Sequence, residues 1–282
     1  MTNSAADNIG SGLTLVLGGT GKTGRRVVER LEARDVAVRM GSRSASPPFD
    51  WEDEATWAPV LSGVESAYLS YYPDLAVPGA PEAIRVFTDA AVEAGVRRVV
   101  LLSGRGEPEA RECERIVQAS GVDWTVVRAS WFAQNFSEDY LLDPVRAGEV
   151  VLPAGDVPEP FVDADDIADV AVEALTRDGH AGEVYEVTGP RALTFAEAVA
   201  EIGRAAGREV AYVPVGAEEH AAALREHGVP EEVVGLLTYL FTTVLDGRNA
   251  RPADGVERAL GRKPRAFAEY ARDTAASGIW NH

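Results

Sequence analysis

Four glycines near the start of the chain, Gly18, Gly19, Gly21 and Gly24, stand where phosphate chemistry would need them. Thr20, Lys22 and Thr23 are interleaved with them, giving GGTGKTG. The spacing reads as GxxGxxG through Gly18, Gly21 and Gly24, or as GxGxxG through Gly19, Gly21 and Gly24. In such a turn one glycine permits the tight bend and one lets the backbone approach a pyrophosphate. The last lets a helix pack on a strand. A P-loop would need its first glycine at position 16, which is valine, so the GxxxxGK[ST] spacing fails. A glycine turn with no ligand is the bland alternative. It leaves so many glycines at a helix start without an anion to explain them.

Elements must present these residues. Residues 13–17 (LTLVL) are apolar and uncharged, as in a strand buried on both faces of a parallel sheet. Residues 25–33 (RRVVERLEA) carry Val27, Val28 and Leu31 at helical spacing. Strand, turn and helix open a βαβ unit, and the helix N-terminus attracts the pyrophosphate. A second strand over 36–40 runs into Arg39-Met40-Gly41-Ser42-Arg43-Ser44, with no acidic residue to hold a ribose. Arg43 suits a 2′-phosphate, with Ser42 and Ser44 as hydroxyl donors and Lys22 as a second charge. NADPH is therefore the expected cofactor. The alternative is that Arg39 and Arg43 are ordinary surface cations.

A third strand is expected to end at Asp50, over the adenine, with Trp51 packed beside it; an exposed turn is the alternative. A helix spans 54–61. The strand at 67–70 delivers Ser70, Tyr71 and Tyr72 to the carboxyl edge of the sheet, where ligands of open α/β sheets bind. Tyr71 and Tyr72 are placed there near ribose and nicotinamide, or belong to the core. After a helix at 84–94, the strand at 96–102 ends in Ser103. A helix at 107–120 and a strand at 124–128 follow. Residues 161–167 form a short strand entering a helix that Asp165 or Asp166 caps. A late strand covers 183–188.

From 191 the pattern is mainly helical. Thr194 and Glu197 form a capping box for a helix to 206. A strand at 210–214 and helices at 218–226 and 230–245 follow. The last carries Tyr239 among Leu236, Leu237, Leu240, Phe241 and Val244. It can wall a cofactor cleft, or serve as a core or dimer helix.

The chain has 282 residues and a net charge of −18, which disfavours nucleic acid and anionic membranes as partners. Its single cysteine, Cys113, excludes an internal disulfide or a cysteine metal cluster. The four histidines are scattered without metal-ligand spacing. No apolar run reaches the about 20 residues that span a bilayer. The start reads as a loose polar tail without signal-peptide regions, and the expected location is cytoplasmic.

The chain resembles the NmrA-like atypical short-chain dehydrogenases/reductases, most closely the branch with the ergot-alkaloid iminium reductases (festuclavine and agroclavine type). LGGTGKTGRRV, SRS, FDW, SYYPD, LLSGRG, ECERIVQASGVDWTVVRASWFAQNF, FVDADDIADVA and YEVTGP carry the resemblance, together with the tail after residue 245. It covers nearly the whole chain. It implies a Rossmann-type α/β fold, a doubly wound parallel sheet over 13–190, with a smaller, mainly helical substrate lobe over 191–282.

The resemblance further implies that residues 131–136 line the nicotinamide and substrate side. Trp131 and Phe132 then wall the pocket, and Gln134 and Asn135 orient substrate; simple packing is the alternative for the aromatics. Ser103 occupies the place of the catalytic serine. The Tyr-x-x-x-Lys pair of typical members is absent from the following helix (EPEARECERIV). A carbonyl reduction wants an acid near the developing alkoxide, whereas a cationic iminium does not. The expectation is an NADPH-dependent reductase of an imine, quinone or activated alkene, a monomer or homodimer in secondary metabolism, with Ser103, Tyr72 and Asn135 as orienting groups. A non-catalytic dinucleotide sensor and a non-redox enzyme in the old cofactor pocket are the alternatives.

Overall fold

The computed structural model describes residues 12–281; of the tail expected at 1–12, all but Gly12 lies outside the described residues. The chain opens with β1 (Leu13–Leu17), α1 (Gly24–Glu32), β2 (Val38–Gly41), α2 (Trp57–Leu61), β3 (Val64–Leu69) and α3 (Ala80–Glu93). It continues with β4 (Arg98–Gly104), α4 (Pro108–Ala119), β5 (Asp123–Ala129), α5 (Asn135–Glu138), α6 (Leu142–Ala147) and β6 (Glu149–Leu152). Then come α7 (Ala164–Thr176), β7 (Glu183–Val187), α8 (Phe195–Ala206), β8 (Ala211–Pro214) and α9 (Ala217–Glu226). Last are α10 (Glu231–Tyr239), a single wide turn at Leu240–Val244, α11 (Gly255–Leu260) and α12 (Phe267–Ala276).

Six parallel strands form one sheet in the order β2-β1-β3-β4-β5-β7. This is a Rossmann-like α/β fold. Side chains alternate between faces with period two. Leu15 and Leu17 pack with Trp57, Ile84, Phe87 and Val117 on one side. Val16 packs with Val27, Leu31, Ile167 and Val256 on the other. The expected strand at Asp50 is not formed; only an isolated bridge to Asp53 occurs there. Pro47 and Pro48 precede it, and proline supplies no N–H to a ladder.

A second, two-stranded parallel sheet pairs β6 with β8. Neither β6 nor α6 was expected from the sequence. Residues before 190, including Phe136, Leu141, Val150 and Phe161, pack in one core with Phe195, Ile202, Leu237, Phe241 and Trp280. The lobe therefore draws on chain from both sides of the boundary expected at 190. Within it α8 carries its capping box, with Thr194 and Glu197 exchanging bonds.

Helices α1 and α7 are laced by ion pairs. Arg26 bonds Asp165 at 3.1 Å, Arg30 bonds Asp169 at 2.5 Å and Arg34 bonds Glu173 at 3.3 Å. Burial alone would raise the Asp165 carboxyl, but Arg30 and Arg26 hold it below its ordinary value. The cap of α7 is Asp163, which accepts from the Asp165 amide at 2.9 Å. Asp165 and Asp166, expected as caps, turn instead to Arg26, Arg30, Arg262 and Arg265.

Candidate active site

The turn after β1 is built from backbone. Gly18 adopts φ +65°, a left-handed conformation that favours glycine. Its carbonyl accepts from the Gly21 amide at 2.8 Å and closes the bend. A Cβ at Gly24 would strike that same carbonyl, so α1 can start this close only with glycine. A Cβ at Gly21 would lie 3.2 Å from it. Thr23 is buried and makes no side-chain capping bond; the Arg25 amide bonds the Gly21 carbonyl at 3.2 Å, and the Gly24 and Arg26 amides at the start of α1 have no backbone partner among the described residues. The Ser70 hydroxyl at the end of β3 abuts Gly18 from the neighbouring strand.

At the end of β2, Arg43 is exposed and makes no ion pair or hydrogen bond through its side chain among the described residues. Ser42 and Ser44 place their hydroxyls 3.3 Å apart beside it. Lys22 does not join this group. Its ammonium bonds Asn135 Oδ1 at 2.7 Å, pairs with Asp139 and lies 5.6 Å from the Phe132 ring centroid. It straps the glycine turn to the segment after β5. Amides at the start of α1 and glycines that admit close approach fit a nicotinamide dinucleotide.

Asp50 accepts from the Glu52 amide in a local turn. Trp51 is not exposed. Its indole donates to the Ser70 carbonyl at 3.1 Å, and its ring lies 4.9 Å from Tyr71 and 5.1 Å from Phe87. Tyr71 is half-buried in this aromatic group. Tyr72, expected to orient substrate, is 72% exposed.

Ser103 is buried, and its hydroxyl donates to Glu114 at 2.6 Å. Arg128 grips the same carboxylate through Nε at 2.9 Å and Nη2 at 2.5 Å, and Glu186 at 2.8 Å. The helix face opposite Ser103 therefore carries a locked carboxylate where a tyrosine would act. Gln134 is likewise committed: it donates to Asp163 and accepts from the Ala164 amide, both at 2.8 Å. It supports the start of α7 rather than a substrate. Trp131 is half-buried, 5.4 Å from Phe195 and 4.9 Å from Phe241. Tyr239 crosses from α10 to the start of α4, donating to Glu109 at 2.8 Å. Burial and then that bond push its hydroxyl up to about 12.

Sequence reasoning passed over two carboxyls at this edge. Asp74 follows the Tyr71-Tyr72-Pro73 loop and Glu107 precedes α4, and the two lie within hydrogen-bond reach of each other. Burial first, and the Asp74 charge second, push Glu107 well above the ordinary range. A Cβ at Gly104 would strike the Glu107 carboxyl, so the glycine makes room for it. That glycine beside an acid was the available signal. A third acid, Glu159, is buried beside Ser130 at the end of β5, and burial pushes it up to about 7.

The sheet order, the glycine turn and the free start of α1 define a Rossmann-type dinucleotide-binding oxidoreductase. A family model described as NAD(P)H-binding matches residues 18–178. The chain belongs to this NAD(P)H-binding family. It is 32% identical to an NAD(P)H azoreductase of Xenophilus azovorans, over 94% of this chain and 99% of that one. It is also 32% identical to an agroclavine dehydrogenase of Claviceps fusiformis.

 The alignment with that dehydrogenase covers 94% of this chain and 98% of the dehydrogenase. The fold matches the NADPH-dependent quinone oxidoreductase QOR2 of Escherichia coli, crystallised with NADPH, with a TM-score of 0.78 and 24% identity. That match spans 95% of this chain and 100% of the other.

Proposed function

We propose that the protein is an NADPH-dependent reductase of a small, apolar or aromatic acceptor: an imine or iminium, a quinone or an activated alkene, in secondary metabolism. One observation carries the choice of acceptor. The Ser103 hydroxyl is bound to Glu114, and α4 offers neither tyrosine nor lysine, so the usual acid for a simple ketone is missing. The exposed Arg43, with no acid at the end of β2, supports NADPH over NADH. One relative is named an NAD(P)H azoreductase and another an agroclavine dehydrogenase, which supports a nitrogen-containing acceptor.

The chain's own residues bind and orient. The turn at Gly18–Gly24 and the start of α1 hold the pyrophosphate, and Arg43 with Ser42 holds the 2′-phosphate. Asn135 and the Trp131 and Phe132 rings border the acceptor side. When bound, the reduced nicotinamide supplies the hydride. The test is NADPH and NADH oxidation against a panel of cyclic imines, quinones, enones and ketones. Turnover of the first three classes with NADPH supports the reading; turnover of simple ketones alone overturns it. The closed Ser103 also suits a sensor that binds the dinucleotide without chemistry. Tight NADPH binding with no turnover on any acceptor would favour that reading.

A further inference from the structure

Glu107 is 7% exposed, and no N–H or O–H donor meets its Oε2 among the described residues. The group within hydrogen-bond reach is another carboxyl, that of Asp74. Ionised carboxylates only accept hydrogen bonds, so two that face each other need a proton between them. Asp74 belongs to a half-buried residue in the loop after β3, and its Oδ1 accepts from the Ala76 amide at 2.8 Å. Glu107 lies behind it at the start of α4, in the room left by Gly104.

We propose that Asp74 and Glu107 share one proton and are the acid of the acceptor site, with Asp74 passing the proton to the acceptor and Glu107 storing it. This rests on the reductase reading above and supplies the proton for those of its acceptors, enones and quinones, that must take one up. In an enone, the β-carbon gains a C–H bond from the hydride of the reduced nicotinamide, which is oxidised. The π electrons move to the oxygen, which forms an O–H bond as the carboxyl O–H bond breaks. Water then reprotonates the pair.

The surroundings keep the proton in place. Glu109 and Glu114 on α4 add negative charge, and Tyr239 from α10 points its hydroxyl at Glu109. Arg248, which reaches the Gly106 carbonyl at 3.3 Å, is paired with Asp246 at 2.6 Å. Asn249 donates to the Arg105 carbonyl at 2.9 Å. Burial and the facing acids together push both carboxyls up, toward the protonated form.

The test uses the full chain in two arms. Infrared spectroscopy of the protein without cofactor should show a carboxylic-acid C=O band at pH 7 that Glu107→Gln removes. Turnover of an enone and of an N,N-dialkyl iminium is then compared, the second needing no proton. Glu107→Gln and Asp74→Asn should each slow the enone by roughly 10²–10⁴-fold, the general-acid range, and slow the iminium far less. The alkaline fall of enone turnover should vanish in both variants. Should Glu107→Gln fail to fold, Asp74→Asn carries both arms. Absence of the band, or equal slowing of both acceptors, overturns the proposal while leaving the reductase reading intact. No turnover of any acceptor by the unmodified protein defeats both.

Discussion

The turn between β1 and α1 and the wall made by residues 72–74, 104–109 and 239 lie at the same carboxyl edge of one sheet, yet they are held differently. The turn is a backbone device. Its shape follows from Gly18 at positive φ and from the missing Cβ at Gly24, and the groups it presents are backbone amides. The wall is a side-chain device. Its parts come from three distant segments, and they are fixed by burial and by bonds such as Tyr239 to Glu109. A backbone site fails when atoms are added to it. A side-chain site changes when charge or a proton is removed.

The largest effect should come from filling the turn. Gly21→Val leaves the fold nearly intact, since a Cβ there meets only the Gly18 oxygen at 3.2 Å. It should weaken NADPH and NADH alike by about 100-fold or more, the loss of two charge-assisted bonds of about 1.5–3 kcal/mol each. Calorimetric titration with both cofactors checks this; unchanged affinity would place the phosphates elsewhere.

Next is Arg43, the side-chain charge proposed for the 2′-phosphate. Arg43→Ala should cost NADPH about 1.5–3 kcal/mol and leave NADH nearly unchanged. Equal losses for the two cofactors would remove the 2′-phosphate from Arg43.

Glu159 sharpens the contrast from the other side. Its folded titration lies near 7, above the ordinary 4.5, because burial disfavours the charge. Between those values the folded protein holds a proton that the unfolded chain has released. Stability from this group is full below pH 4.5 and declines as pH rises through 7. Glu159→Gln, neutral at every pH, should be more stable than the unmodified protein at pH 8 by about 2 kcal/mol and should gain little at pH 4.5. Denaturant melts at the two pH values measure it. A gain independent of pH would mean that packing, not ionisation, is responsible.

The smallest effect should follow Tyr239→Phe, which removes one partly exposed hydrogen bond. About 0.5–1.5 kcal/mol of stability should be lost, with cofactor affinity unaltered. Loss of cofactor affinity would show that α10 supports the glycine turn as well as the wall.

This division also governs how much could be read from the chain. The glycine turn, its strand and its helix were legible because glycines, apolar run and helical period are all local. The strands of the main sheet after it were found for the same reason, whereas those expected at Asp50 and at the start of 161–167 are only isolated bridges. Ser103 and Gln134 were placed at the correct edge, but their partners, Glu114 with Arg128 and Asp163 with Ala164, lie 11 or more residues away in sequence. No local pattern reveals which way such a side chain turns. Lys22 was expected beside Arg43 and is drawn to Asn135, more than a hundred residues on, by packing that the sequence does not display. Asp74 and Glu107 looked like two ordinary acids in a chain with 45 of them. Burial alone distinguishes them.

Three of the ion pairs that join α1 and the turn after it to α7 share an offset of 139 positions: Arg26 with Asp165, Arg30 with Asp169 and Arg34 with Glu173. Such a ladder acts as an address. Sliding one helix by a turn would still pair Arg26 with Asp169 and Arg30 with Glu173, but would leave an arginine and an aspartate at the ends unmatched. The ladder thus stores information about alignment more than energy, since part-exposed pairs contribute about 0–1 kcal/mol each. It also binds the histories of the two helices together: a reversal of charge on one rung is tolerated when the opposite reversal occurs 139 positions away. In a set of related chains, that constant spacing is where paired substitution should be sought.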